Sequence, residues 1–429
     1  MVAQIKTPTG EVVYQEQLPN GLTVFVFVKP DFLKKYAVLS TNYGSIDFKF
    51  RIPEEGIVEV PLGVAHFLEH KLFEEETGNI FTRFARWGAS VNAFTSPTQT
   101  NYLFSTIDHW QESLADLISF VGHPFFTEEN VEKEKGIIEQ ELRMYEDHPE
   151  HRLHSNLLSN LYHENPIRLD IGGTVESIFE ITVEDLLKCH RTFYQPGNMA
   201  LAMVGDLDPE QLLSIVRQNY SQWDLNNVSE IERFYPAEPR EVVNAWVEER
   251  LSIARPHYLL GFKHEPKWRG EELLKQQITM SLVWRLIVGR SSQIFTDLYQ
   301  ADLVNDSFGA SFNSGPQFAY SVIGSETDNP ERLDQELRRI IQRLKEESVS
   351  SLDIERLKRQ IYGGHLASYD SFEYAANRYI SHYFDQTPYH RFIPILQSIE
   401  VKDVEQAIRD LLDFQYATVS VLRPVEKNG

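Results

Sequence analysis

Histidine and glutamate meet at one point of the chain in a pattern that can hold and use a metal ion: His66-Phe67-Leu68-Glu69-His70. On a helix, residues four apart share one face about one turn from each other, so the two imidazoles can bind one ion. Glu69, one step before the second histidine, can reach a water beside that ion. Zinc with few protein ligands keeps a place for water and lowers its pKa, and a nearby carboxylate then takes the proton during attack on a carbonyl. Val64, Ala65, Phe67 and Leu68 surround the histidines with apolar side chains. That context predicts a buried helix rather than an exposed one carrying two solvated imidazoles.

The five residues form the inverted zincin motif, H-x-x-E-H. Two imidazoles and a water underfill a tetrahedral zinc, so a third ligand must come from elsewhere. Cys189 is the single cysteine, which leaves histidine and carboxylate as the candidates. Thr127-Glu128-Glu129 reads as an N-cap and acidic first turn, opening a helix that continues to about Asp147 and stops before Pro149. Glu134 and Glu141 stand two turns apart on one face of it, next to Ile137, Ile138 and Leu142. A carboxylate on a partly apolar face needs a partner or a metal. Glu132, Glu139 and Glu146 share the helix, and a solvated acidic face would satisfy most of these groups. Spacing alone leaves the third ligand open.

Three runs in this order resemble one family: Val64 to His70, then Gly88-Ala89-Ser90-Val91-Asn92-Ala93-Phe94-Thr95, then Glu134 to Glu141. Together they are similar to pitrilysin, insulin-degrading enzyme and the mitochondrial processing peptidase, and the short chain is similar to the small bacterial members. The resemblance implies that Glu141 is the third zinc ligand and that Glu134 supports the site without binding the metal. It also implies that Gly88–Thr95 contains an edge strand to which a peptide substrate adds as a further strand, with Ala89, Asn92, Ala93 and Phe94 as substrate-binding candidates. Read from the residues alone, the same stretch fits a glycine-led core hairpin equally well.

These side chains need a scaffold. Gly21–Val28 reads as a strand after a turn, and Tyr36–Tyr43 as a second. The stretch from Asn130 to Pro166 echoes the one from Leu352 to Pro388 at an offset of 222 residues (352 − 130), and each is followed by a short apolar strand, Met199–Gly205 and Ala417–Leu422. The expected fold is α+β with two homologous domains, each a mainly antiparallel sheet packed with helices. The zinc-bearing catalytic domain is expected at 1–225, a linker at 226–239, and a non-catalytic copy at 240–429. The copy has Arg356 and Gly363 opposite Glu134 and Glu141 and no second H-x-x-E-H, so one zinc site is encoded.

Composition narrows the partners. Lys plus Arg at 41 against Asp plus Glu at 63 gives a formal net charge of −22, which repels phosphate backbones and fits basic or neutral peptides. No nucleic-acid partner is expected. No stretch of about 18 apolar residues occurs, and the first residues have no apolar signal core, so a soluble protein of a reducing cytoplasm with no membrane association is expected. The resemblance implies an Arg and a Tyr from the partner half over the scissile carbonyl, the Arg near a Gly-x-Arg-Phe strand, whereas this chain has Gly315-Pro316-Gln317-Phe318 at the equivalent place. A zinc-less homologous subunit, in a heterodimer, is expected to supply the missing donor; a homodimer, or a role for Arg378-Tyr379, are the competing readings. Glu74-Glu75-Glu76 reads as a solvated loop, His148, His151 and His154 as a surface helix, and Gly172-Gly173-Thr174 as a turn capping the next helix. The expected activity is hydrolysis of peptide bonds by a zinc metalloendopeptidase with Glu69 as general base. The alternative is a non-catalytic or assembly subunit, against which the intact motif speaks.

Overall fold

The computed structural model describes residues 3–7, 10, 12–53, 55–76, 78–220 and 231–425, so the expected linker lies partly outside the described residues. Two sheets organise them. The first contains β1 (Ala3–Lys6), β2 (Val12–Gln17), β3 (Thr23–Val28), β4 (Lys35–Thr41), β5 (Ser90–Thr95), β6 (Thr100–Thr106) and β7 (Met199–Gly205), in the spatial order β1-β2-β3-β7-β4-β6-β5. The second contains β8 (Trp246–Leu251), β9 (His257–His264), β10 (Gly309–Ser314), β11 (Ala319–Glu326) and β12 (Ala417–Pro424), in the order β8-β12-β9-β11-β10. Within each, one neighbouring pair is parallel, β3 with β7 and β8 with β12, and the rest are antiparallel. The path β3-β7-β4-β6-β5 thus recurs as β8-β12-β9-β11-β10, which makes the chain two α+β copies of one design. A second sequence echo, outside the expected one, marks the same repeat: Gly88-Ala89-Ser90-Val91-Asn92 and Gly309-Ala310-Ser311-Phe312-Asn313 each lead along an outermost strand.

Four helices position the site and cover the sheets: α1 (Val64–Lys71), α2 (Glu128–Glu146), α3 (Pro149–Leu161) and α4 (Phe372–Phe384). The predicted start of α2 is present, with Thr127 Oγ1 accepting from the Asn130 N–H and Asn130 Oδ1 accepting from the Thr127 N–H. Pro149, where α2 was expected to stop, occupies the first turn of α3, the position a missing N–H suits.

The strands explain why α3 and α4 are used as they are. β3, TVFVFV, is buried along almost its whole length and β7, MALAMVG, along all of it, so both faces of the sheet must be covered. Val24 and Val26 join the core under α1, whereas Phe25 and Phe27 point the other way and meet Tyr379 and Tyr383 of α4, with Phe27 and Tyr379 rings 4.8 Å apart. In the second sheet the same service comes from α3, where Leu157 and Leu161 close over Gly261 of β9 and Tyr162 donates to the Ala319 carbonyl. The compact units are therefore 1–142, 170–234 and 365–384, and 143–169, 235–364 and 385–429. They differ from contiguous halves by an exchange of equivalent helices, because each sheet buries its second face under a helix drawn from the other half of the sequence.

Candidate metal centre

α1 starts from Gly63, whose backbone lies at φ 88 and where a Cβ would fall 2.3 Å from the Gly172 carbonyl oxygen. Only glycine fits that left-handed, close approach. The contact seats the first turn of α1 against the loop 170–173, and Thr174 caps the helix beyond through its exchange with Ser177, as the glycine turn predicts. Val64, Ala65, Phe67 and Leu68 are buried, which turns His66 and His70 towards α2. Their rings lie 4.6 Å apart.

α2 brings Glu141 to the same point. Its Oε2 is 3.4 Å from His70 Nε2 and 3.8 Å from His66 Nε2, and among the described residues His66, His70 and Glu141 are the group of three whose donor atoms all lie within 4.8 Å of one another. Ligands at about 2.0–2.2 Å from a tetrahedral zinc stand about 3.3 Å apart, so these donors need only small adjustments to take one ion. Glu134, two turns earlier and buried, accepts from His70 Nδ1–H at 3.0 Å. That bond fixes the tautomer and leaves Nε2 facing the centre of the triad.

Electrostatics follow the same division. Burial, reinforced by the neighbouring His70, pulls His66 down to about 4. Burial also penalises a charge on His70, but its hydrogen bonds with Glu134 and Glu141 outweigh that and hold it up at about 10. Burial raises the Glu69 carboxyl above the usual carboxylate range, offset in part by Thr95, whose hydroxyl donates to Glu69 Oε2 at 2.6 Å. A base with a raised pKa in a dry setting is suited to taking a proton and returning it.

Thr95 is the last residue of β5, the outermost strand of the first sheet, paired on one side with β6. Asn92 and Phe94 are exposed on this strand and Ala93 is half-buried. Ala89 lies just outside it, its N–H donating to the Phe84 carbonyl. Strand β5 thus has an unpaired edge among the described residues, and its inner face touches the motif helix.

Other expectations meet different fates. Glu74 is tied to Lys71 at 2.6 Å and Glu75 pairs with Arg83, so this run is a salt-bridged ribbon more than a solvated loop. His148 is exposed, but His154 is half-buried, its pKa lowered by burial, and its ring sits 6.0 Å from that of Tyr320. That corrects the surface reading of His154, since α3 covers the second sheet. Gly315–Phe318 forms the turn of the β10–β11 hairpin, with Gln317 exposed, rather than a strand. Tyr379 is a core residue against Phe25 and Phe27. Sequence reasoning missed Thr95, Lys71 and Asp170, the last lying with His66 Nδ1 around Gly172. Thr95 closes the run from Gly88, where its hydroxyl could have been noticed, whereas a lone aspartate in a loop carries no signal.

Residues 59–175 match the family described as Insulinase (Peptidase family M16), and residues 180–361 match the Peptidase M16 inactive domain. The first match contains all five residues of the centre. A Bacillus subtilis (strain 168) relative called "Uncharacterized zinc protease YmfH" is 38% identical over 96% of this chain and 97% of its own. The crystal structure of a "putative M16-like peptidase" from Alicyclobacillus acidocaldarius superposes with a TM-score of 0.94 at 32% identity, covering 97% of this chain and 99% of that one. Pitrilysin has the same fold at a TM-score of 0.78 and 16% identity, this whole chain matching 47% of that one. No helix among the described residues is long and apolar enough to cross a membrane.

Proposed function

Because the chain belongs to the M16 (insulinase) family of peptidases, we propose that it is a zinc metalloendopeptidase that hydrolyses peptides or small unfolded precursors. The observation that carries this reading is the convergence of His66, His70 and Glu141 beside Glu69. A zinc ion held by those three residues would supply Lewis acidity for the scissile carbonyl and for water. Glu69 takes the proton of the attacking water and passes it to the leaving amine. Glu134 holds His70 in the tautomer that presents Nε2. A substrate peptide lies along the open edge of β5, where main-chain hydrogen bonds tolerate many sequences and Asn92, Ala93 and Phe94 adjoin it. The lone, buried Cys189 agrees with a reducing cytoplasm.

The test is Glu69→Gln. It should keep one zinc per chain and lose peptide hydrolysis, measured on an unfolded peptide with metal content read by elemental analysis; a variant that still cleaves removes Glu69 as base. A zinc-less second subunit is proposed on the resemblance alone, which sets Gln317, in the turn between β10 and β11, against an arginine of the family. A zinc-less homologue should then raise the rate about a hundredfold or more, the usual weight of a missing oxyanion donor. Equal rates for the chain alone and the mixture would sink that part.

A further inference from the structure

Lys71, the residue after the motif, is completely buried. Its ammonium donates to Glu74 Oε2 at 2.6 Å and to the Asn130 carbonyl at 3.0 Å, and Glu134 Oε2 stands 3.6 Å away. Glu74 follows α1, while Asn130 and Glu134 belong to the first two turns of α2. A buried lysine is strongly disfavoured unless paired, and an apolar side chain of similar length would fill the gap without that penalty. The charge therefore needs a reason beyond packing.

The reason lies across Glu134. One of its oxygens accepts from His70 Nδ1–H at 3.0 Å and the other faces Lys71. With the ammonium on one side and the imidazole on the other, the carboxylate plane is fixed, and with it the ring of His70. Lys71 also sets a positive charge between Glu74 and Glu134, which lets these two carboxylates approach where α1 meets α2. We propose that Lys71 is a positioning residue for the metal centre, which clamps α1 to α2 and aims Glu134 at His70, so that zinc affinity depends on it through Glu134. This rests on the proposed zinc site.

The experiment measures zinc dissociation constants by chelator competition on the full metal-stripped chain, for the parent, Lys71→Met, Glu134→Gln and the double variant, with metal-free melting temperatures alongside. Each single change should weaken zinc about 10–100-fold, the usual weight of a residue supporting a ligand histidine. Because Lys71 acts through Glu134, the double variant should lie within about twofold of the weaker single variant. A merely structural clasp would lower the melting temperature and leave affinity unmoved. Affinity of Lys71→Met within about twofold of the parent, or effects that multiply in the double variant, would overturn the proposal. Lys71→Gln takes the place of Lys71→Met if the latter does not fold; failure of both to fold with zinc present also overturns it, since the lysine would then serve the fold first. A parent chain that binds no zinc would strike the metal reading itself, whereas tight parent binding with an indifferent Lys71→Met strikes this inference alone.

Discussion

His70 divides its two ring nitrogens between two carboxylates, Glu134 at Nδ1 and Glu141 at Nε2, and that division orders the centre. The residue beside it depends on a different element. Glu69 is oriented by Thr95, through its hydroxyl and its backbone, at the end of the strand proposed to receive substrate. Thr95→Val keeps the shape and removes the donor. It should lower kcat about tenfold by loosening the base, with zinc content unchanged, and Thr95→Ser should restore most of the loss in steady-state assays. The hydroxyl acts on the base rather than on the substrate edge, so KM should move less than kcat.

At the scale of elements, the exchange of α3 and α4 decides where stability resides. Leu157 of α3 is fully buried and closes against Gly261 in the second sheet. Leu157→Ala leaves a cavity and should cost about 2–5 kcal/mol, seen as a lower urea midpoint. None of the metal-centre residues belongs to that unit, so zinc stoichiometry should stay at the parent value. Strand β3 could be located by its run of β-branched and aromatic residues. Which helix covers Phe25 and Phe27 could not, because α4 lies some 350 residues further along and both faces of the strand are equally apolar.

Across the whole molecule, buried histidines make acid destabilising. Burial lowers His190 to about 4, His264 to about 3 and His365 to about 4, each against an ordinary value near 6.5. Between those values the unfolded chain binds more protons than the folded one, so the contribution of these three is complete above pH 6.5 and is lost as pH drops towards 3, whereas His70, held up at about 10, gives its share below pH 6.5 and loses it as pH rises towards 10. Glu238 adds to the slope lower down: burial would raise it, but Lys263 and the N–H groups of His163, Glu164 and Asn165 hold it below its usual range. Chemical denaturation of the metal-free chain at pH 7.5 and pH 5 should show the lower midpoint at pH 5.

The motif, the helix carrying Glu134 and Glu141, the repeat and the lack of a second zinc motif are all legible in the order of residues. Those are local facts, set by periods of 3.6 and 2 and by single residue types. That order left the third ligand to be inferred from resemblance, and it carried no sign that Thr95, Lys71 or the loop at Gly172 would meet the motif helix. Tertiary structure alone decided these, and it redrew the contiguous halves as units that trade helices. The physical reason is the same in each case. A side chain's partner depends on which distant surface covers its face, and a strand apolar on both sides, or a lysine alone in sequence, does not specify that surface.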